Sequence, residues 1–128
     1  GGRILAVLRK IPVALLVVDE IGYLLKGDLA CAFNIPAPGV ALLVQRVATG
    51  SPAERLGVRG GSLAAAIGDE ELVLGGDAIL AVEGISLGST NAYENIRRRL
   101  STIAPGGPVR VSVLRRGEVV ELTGTAPR

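Results

Sequence analysis

The residue types that carry enzyme chemistry are scarce in this sequence. It contains no His and a single Cys, Cys31, so it can form neither a Ser-His-Asp triad nor a Cys-His pair. The glycine pairs Gly60-Gly61 and Gly75-Gly76 are not followed by Lys-Ser/Thr, so they do not form a phosphate-binding loop. Clusters with the spacing of metal ligands are missing too, and no cofactor is expected. The sequence therefore favours binding over catalysis.

The side chains best placed for binding lie on one predicted helix. The pattern indicates a helix that begins at Ser89 or Thr90 and ends at about Leu100. The basic run Arg97–Arg99 lies on it, and we interpret this run as a solvated face, because a net charge of only +2 does not suggest nucleic acid as a partner. The apolar positions are spaced three, four and three residues apart: Tyr93, Ile96, Leu100 and Ile103.

The composition indicates one folded domain around this helix. Of 128 residues, 48% are hydrophobic and 20% are charged, which excludes a disordered chain and allows a sizeable core. Only three residues are aromatic, so Leu, Val, Ile and Ala must fill that core. The 18 Gly and 7 Pro are typical of a β-rich domain with many turns. A lone cysteine cannot form an internal disulfide, and its apolar neighbours predict that Cys31 is buried.

Short strands and helices are predicted along most of the chain. Gly39–Val47 is apolar except at Gln45 and Arg46 and predicts a buried strand. Further strands are predicted at residues 63–67, 70–74, 78–82, 109–115 and 119–123, with turns at Gly68-Asp69, Glu83-Gly84 and Arg116-Gly117. Short helices are predicted at Asp28–Phe33 and after the Ser51 cap, where Pro52 comes first, Glu54 completes a capping box and Gly57 ends the helix. This order predicts an α+β fold with a small, strongly curved sheet.

The first residues form a separate predicted unit. Residues 2–11 show the spacing of an amphipathic helix, Pro12 ends it, and residues 13–18 are β-prone. The apolar run at 12–18 is too short to span a bilayer. Because the chain lacks an initiator Met, we expect it to be a domain taken from a longer protein.

Four segments match a recurring pattern in the same order. They are Gly27–Val47 (GDLACAFNIPAPGVALLVQRV), Gly50–Gly61 (GSPAERLGVRGG), Gly75–Leu87 (GGDAILAVEGISL) and Val109–Leu122 (VRVSVLRRGEVVEL). From about Val17 to its end, the chain thereby resembles a PDZ domain of HtrA/Deg-type, trypsin-like serine proteases. The resemblance implies a PDZ-like sheet or partly open barrel of five to seven strands, capped by two helices. It also implies a linker helix at 1–12 and the PDZ domain at 13–128.

The resemblance implies a peptide-binding groove and places it in the sequence. An extended ligand would pair with a strand at about Glu20–Leu24, behind a carboxylate-binding loop, and lie against the long helix. The implied peptide-binding residues are Val17, Val18, Asp19, Glu20, Ile21, Tyr93, Ile96, Arg97 and Leu100. For Ile96 and Leu100, packing in the core is the alternative role.

Two features depart from the family pattern. About fourteen residues, Ser62–Gly75, are inserted where the family runs straight on, and we expect a surface hairpin there. The loop position that is normally Gly holds Asp19, or a neighbouring Val if the register shifts by one. The charges of Asp19 and Glu20 would repel a ligand carboxylate.

The leading hypothesis is a peptide-binding PDZ module that recognises hydrophobic C-termini or exposed segments and regulates a serine protease in protein quality control. The fragment itself is not expected to be an enzyme. Family resemblance implies that the parent protein lies in the periplasm or bacterial cell envelope, with its protease domain as a further partner. For this fragment itself, we expect neither a nucleic-acid partner nor direct membrane insertion. One alternative is a PDZ-shaped domain for docking within the protein or between subunits. Another is a scaffold domain of a secretion system.

Overall fold

A computed structural model of the chain describes residues 21–47, 49–50, 52–67 and 70–125. The predicted N-terminal helix, the strand at 13–18 and the Ser51 cap lie outside these residues. The strands within them are β1 (Ile21–Leu25), β2 (Ala41–Arg46), β3 (Leu63–Ile67), β4 (Glu70–Leu74), β5 (Ala78–Val82), β6 (Ile85–Ser86), β7 (Pro108–Arg115) and β8 (Glu118–Thr125). The helices are α1 (Gly27–Ala32), α2 (Pro52–Leu56) and α3 (Ala92–Ser101). The predicted α+β class is confirmed.

The main sheet is antiparallel and open. In the part of the chain that the structure describes, it has six strands in the order β1-β2-β5-β7-β8, with β6 paired to β5. Among the described strands, β1 and β8 end this order and do not pair with each other, so these strands do not close into a barrel. The inserted residues form a separate two-stranded sheet, the β3–β4 hairpin, in which Leu63 pairs with Leu74 and Ile67 with Glu70. None of the helices within these ranges is both long enough and apolar enough to cross a membrane.

Two-residue turns hold neighbouring strands in register. Arg116 (φ +52°) and Gly117 (φ +80°) connect β7 to β8, and Glu83 (φ +51°) and Gly84 (φ +79°) connect β5 to β6. Two successive positive φ values are typical of the type I′ turn, whose twist matches that of an antiparallel strand pair. Both turns lie where the sequence predicts them.

Helix α3 begins later than the sequence predicts. Asn91 adopts the left-handed conformation (φ +53°, ψ +37°) and therefore cannot join a right-handed helix, so the first helical residue is Ala92. Asn tolerates this conformation better than most residues do. The predicted start at Ser89 or Thr90 is thus wrong by two or three residues, although the end at Ser101 agrees with the prediction.

The main core lies between α3 and one face of the sheet. It is built from aliphatic side chains, as the scarcity of aromatic residues requires. Its buried members are Leu42, Val44, Leu56, Val58, Ile79, Val82, Leu87, Ile96, Leu100, Val109, Val111 and Val113. Leu42 and Val44 are alternate residues of β2, so they point to the same face of the sheet.

A second apolar cluster covers the opposite face of β1 and β2. Its buried members are Leu25 of β1, Leu43 of β2 and Leu72 of β4. Four partly buried side chains complete it: Leu29, Phe33, Ile35 and Leu74. Both faces of β2 are therefore covered, which explains why all residues from Ala41 to Gln45 are buried. Within the inserted hairpin, Leu72 of β4 is 3% exposed and packs in this cluster, whereas Leu63 of β3 is 63% exposed.

The structure also corrects the prediction for the single cysteine. Cys31 is exposed. In α1 the inward positions are taken by Leu29 and Ala30, and Phe33 follows on the same side. Residues of a helix are about 100° apart, so this arrangement turns Cys31 to the solvent. The apolar neighbours of Cys31 in the sequence therefore do not bury its side chain in the structure.

Candidate functional site

Strand β1 presents a backbone edge. It pairs antiparallel with β2 from Ile21↔Arg46 to Leu25↔Ala41, with an irregularity between Ile21 and Gly22. Within the described ranges, β2 is its one strand neighbour. Backbone N–H and C=O groups on the outer edge of such a strand can hydrogen-bond an added extended chain. The predicted ligand-binding strand, at about Glu20–Leu24, coincides with β1 to within a residue at each end.

Helix α3 lies on one side of this edge. Leu24 of β1 is directly opposite Leu42 of β2, and directly opposite residues of an antiparallel pair point to the same face. Leu42 packs in the main core with Ile96 of α3. The half-buried Leu24 therefore faces the side of the sheet that α3 covers. Leu24 of β1 and helix α3 therefore lie on the same side of the sheet.

Two of the four helix residues predicted to bind a ligand are core residues. Ile96 is 0% exposed and Leu100 is 5% exposed. Completely covered side chains cannot contact a ligand in this conformation, so Ile96 and Leu100 support the helix from beneath. The alternative role that the sequence left open for them, core packing, is the one that the structure shows.

Tyr93 and Arg97 are the accessible members of this set. Both line a cleft of about 600 Å³ at the start of α3. Tyr93 is half-buried, packs its ring against the main core, and has its pKa raised by burial. The exposed Arg97 donates from Nη2 to both carboxylate oxygens of Glu94, at 2.8 and 2.7 Å. The cleft thus joins an apolar ring surface to a polar rim that can orient a ligand.

The remaining predicted site residues belong to the loop before β1. Val17, Val18, Asp19 and Glu20 lie outside the described residues. Ile21 begins β1, and its backbone pairs with Arg46. The structure therefore places Leu24 of β1 and helix α3 on the same side of the sheet. The role of the loop before β1 stays a prediction.

A buried ion pair, missed from the sequence, holds the framework behind this site. Asp77, which is 1% exposed, accepts hydrogen bonds from Arg115 Nε (2.8 Å, to Oδ1) and Arg115 Nη2 (2.7 Å, to Oδ2). Its Oδ2 also accepts from the Arg59 N–H (2.9 Å). Arg115 Nη2 donates in addition to the Gly57 carbonyl (2.7 Å). The hydrogen bonds with Asp77 raise the pKa of Arg115.

This network joins three separate parts of the chain. Asp77 precedes β5, Arg115 ends β7, and Gly57 and Arg59 follow α2. The sequence signal was an Asp directly before a strand of small and aliphatic residues, with an Arg at the end of a later strand. The sequence alone does not show that Asp77 and Arg115 are partners, because the pairing of their strands brings them together. Both carboxylate oxygens of Asp77 and the carbonyl oxygen of Gly57 accept hydrogen bonds within the protein. The network therefore serves the framework rather than a ligand.

A buried amide joins β2 to the inserted hairpin. Gln45 is 8% exposed. Its Oε1 accepts from the Val73 N–H at 2.6 Å, and its Nε2 donates to the Val73 carbonyl at 3.0 Å. A side-chain amide here takes the place of a backbone group in a strand pair. The signal in the sequence was one polar residue in an otherwise apolar strand.

No protein-family model matches this chain, and a search of the curated proteins finds no match. Within the described ranges, no group of three or more Cys, His, Asp or Glu side chains is arranged to hold a metal ion. The case for a function therefore depends on the geometry around β1 and α3 together with the residue patterns of the sequence.

Proposed function

We propose that this chain is a peptide-binding domain of the PDZ type, which adds an extended ligand to the edge of β1. The observation that carries the proposal is the position of β1, an edge strand of the main sheet whose Leu24 faces the side covered by α3. Backbone pairing at such an edge supplies affinity, and side chains at alternate ligand positions supply specificity.

The accessible side chains favour a ligand with hydrophobic residues. Leu24 and the ring of Tyr93 are apolar surfaces that are only half covered. The Arg97–Glu94 pair at the rim is exposed and can rearrange to meet a charged ligand group at small cost. We propose hydrophobic C-termini or exposed hydrophobic segments of other proteins as ligands. In a longer HtrA-like serine protease, such binding would regulate the protease in the cell envelope.

A second candidate is docking of this domain on another part of its own protein or on another subunit. Asp19 and Glu20 favour it, because carboxylates at the predicted loop would repel a free ligand C-terminus. The same β1 edge would then accept a strand that carries no terminal carboxylate.

Peptide binding is tested with two matched libraries, one with free and one with amidated C-termini. Stronger binding of free C-termini ending in Val, Leu, Ile or Phe would support C-terminal recognition. Equal binding of both forms would support recognition of internal segments. An absence of binding in both libraries would contradict the peptide-binding proposal and favour docking.

Strand addition is tested on the best ligand by N-methylation of its backbone. An N-methyl group removes one hydrogen-bond donor and widens the chain, so it blocks pairing where the N–H points to β1. Methylation at alternate positions should abolish binding, and methylation at the intervening positions should be tolerated. Equal tolerance at all positions would contradict strand addition.

A further inference from the structure

The β3–β4 hairpin packs against β2 on the face opposite α3, in the apolar cluster that also contains Leu25 of β1. Leu25 of β1 is completely buried, and it packs in one cluster with Leu43 of β2 and Leu72 of β4. Leu72 comes from the inserted segment, so the insertion supplies part of the surface on which β1 lies. Because β2 is the one neighbour of β1 among the described strands, the order of β1 depends strongly on such packing.

Gln45 attaches the hairpin to the sheet at this point. It lies two residues after Leu43 on β2 and therefore points to the same face. Its amide bonds to both backbone groups of Val73, the residue next to Leu72. The hairpin is fixed again at its base, where the Gly61 N–H donates to the Gln45 carbonyl at 3.0 Å.

The base of the hairpin is too closely packed to move freely. A Cβ atom on Gly61 would lie 2.6 Å from the Leu74 carbonyl oxygen and 2.7 Å from Val73 Cγ1. Contacts this short are not tolerated by real side chains, so glycine is required there. The hairpin is therefore held at Gly61, at Val73 and at Leu72.

We propose that the β3–β4 hairpin positions β1 for ligand binding, with Leu72 and Gln45 as the positioning residues. This inference rests on the proposed function of the β1 edge. Leu72 completes the apolar cluster in which Leu25 of β1 is buried, and Gln45 keeps Leu72 in place by holding Val73. A strand held in its bound conformation before the ligand arrives loses less conformational freedom on binding.

Two variants and one control test the positioning of β1 by native-state hydrogen exchange. Leu72→Ala truncates the side chain that shares a cluster with Leu25. Gln45→Met keeps a side chain of similar length but removes its hydrogen bonds to the Val73 backbone. Both should accelerate amide exchange in β1 on the order of 10-fold or more. The control is Leu63→Ala, on the same hairpin but 63% exposed, which should leave β1 exchange unchanged.

The comparison with β7 separates positioning from a general loss of stability. If Leu72 and Gln45 contributed only to overall stability, replacing them would accelerate amide exchange in β7, which reports global unfolding. The local opening of β1 would then keep its original rate. Unchanged β1 exchange in either variant would overturn the proposal. So would acceleration of the same size in Leu63→Ala.

Ligand affinity supplies the second measurement. In a variant with both Gln45→Met and Leu72→Ala, β1 should be displaced in a large fraction of molecules. The best peptide from the libraries should then bind several-fold more weakly, because apparent affinity scales with the competent fraction. Full affinity despite accelerated β1 exchange would overturn the proposal. If the unmodified chain binds no peptide, the proposed function fails, and the exchange data still decide whether the hairpin holds β1.

Discussion

Replacing Asp77 with Asn should destabilise the domain more than any other single change of charge to amide among its described ion pairs. The carboxylate accepts three hydrogen bonds, two from Arg115 and one from the Arg59 N–H. An Asn side chain has the same shape but only one acceptor oxygen. Its NH2 group would face a donor, either Arg115 or the Arg59 N–H.

The magnitude follows from burial. Removing one partner of a buried ion pair costs roughly 3–5 kcal/mol, because it leaves an uncompensated charge. The Asp77 side chain is 2% exposed and that of Arg115 is 18% exposed. Arg115 can thus recover some solvation, which places the expected loss near the lower limit, about 3 kcal/mol. Since a domain is stabilised by only about 5–15 kcal/mol in total, this loss is large.

The assay is urea unfolding followed by circular dichroism, with Glu94→Gln as the matched control. Glu94 and Arg97 also approach to 2.7 Å, but their side chains are 51% and 63% exposed. The same change from carboxylate to amide should cost less than about 1 kcal/mol at this exposed pair. The two variants differ mainly in burial, so their difference measures what burial contributes.

Equal losses in the two variants would refute the reasoning. So would a loss below about 1 kcal/mol for Asp77→Asn, the range of an exposed pair. The slope of the unfolding free energy against urea should be the same in both variants and in the parent chain, because a changed slope would indicate a different folded or unfolded state.

Three further predictions concern single residues. Because burial raises the pKa of Tyr93, folding favours its protonated form; stability should be full below about pH 10 and decline as the pH rises above that value. In a Tyr23→Phe variant, phenolate absorbance should titrate with a midpoint above the ordinary value, and a midpoint at or below it would contradict this burial. Cys31 should react fully with a thiol reagent without denaturant, and protection until unfolding would contradict its exposure. Gly76→Ala should lower the unfolding free energy by about 1–3 kcal/mol, because its Cβ would collide with the Val44 carbonyl oxygen; an unchanged urea midpoint would disprove that contact.

Local rules predicted most strands and turns correctly. Arg116-Gly117 lies between two alternating runs, and only a tight turn with positive φ joins such runs in register. The run Gly39–Val47 is almost wholly apolar, and it became a strand buried on both faces. These features depend on neighbours in sequence, so sequence patterns were sufficient for them.

Features that depend on distant residues could not be predicted in this way. In the sequence, Gln45 is only a polar residue in an apolar strand. In the structure, its side chain is hydrogen-bonded to the backbone of Val73, 28 residues later. The sequence could not show that Leu72 packs in one cluster with Leu25 and Leu43, because alternation does not reveal what lies opposite a strand residue. Cys31 was assigned to the core from its sequence neighbours, although α1 turns it outward.

The buried hydrogen-bond network around Asp77 explains which features of the structure the residue patterns of this chain reflect. Gly57, Asp77 and Arg115 belong to three of the four segments on which the resemblance depends, and they meet in one set of hydrogen bonds. Those residue types at those positions are what the framework requires. None of them lies on the edge of β1 or on α3. The resemblance therefore concerns the framework. On the proposed function, ligand choice would depend on β1 and Tyr93 and on the inserted hairpin, where this chain has its own features.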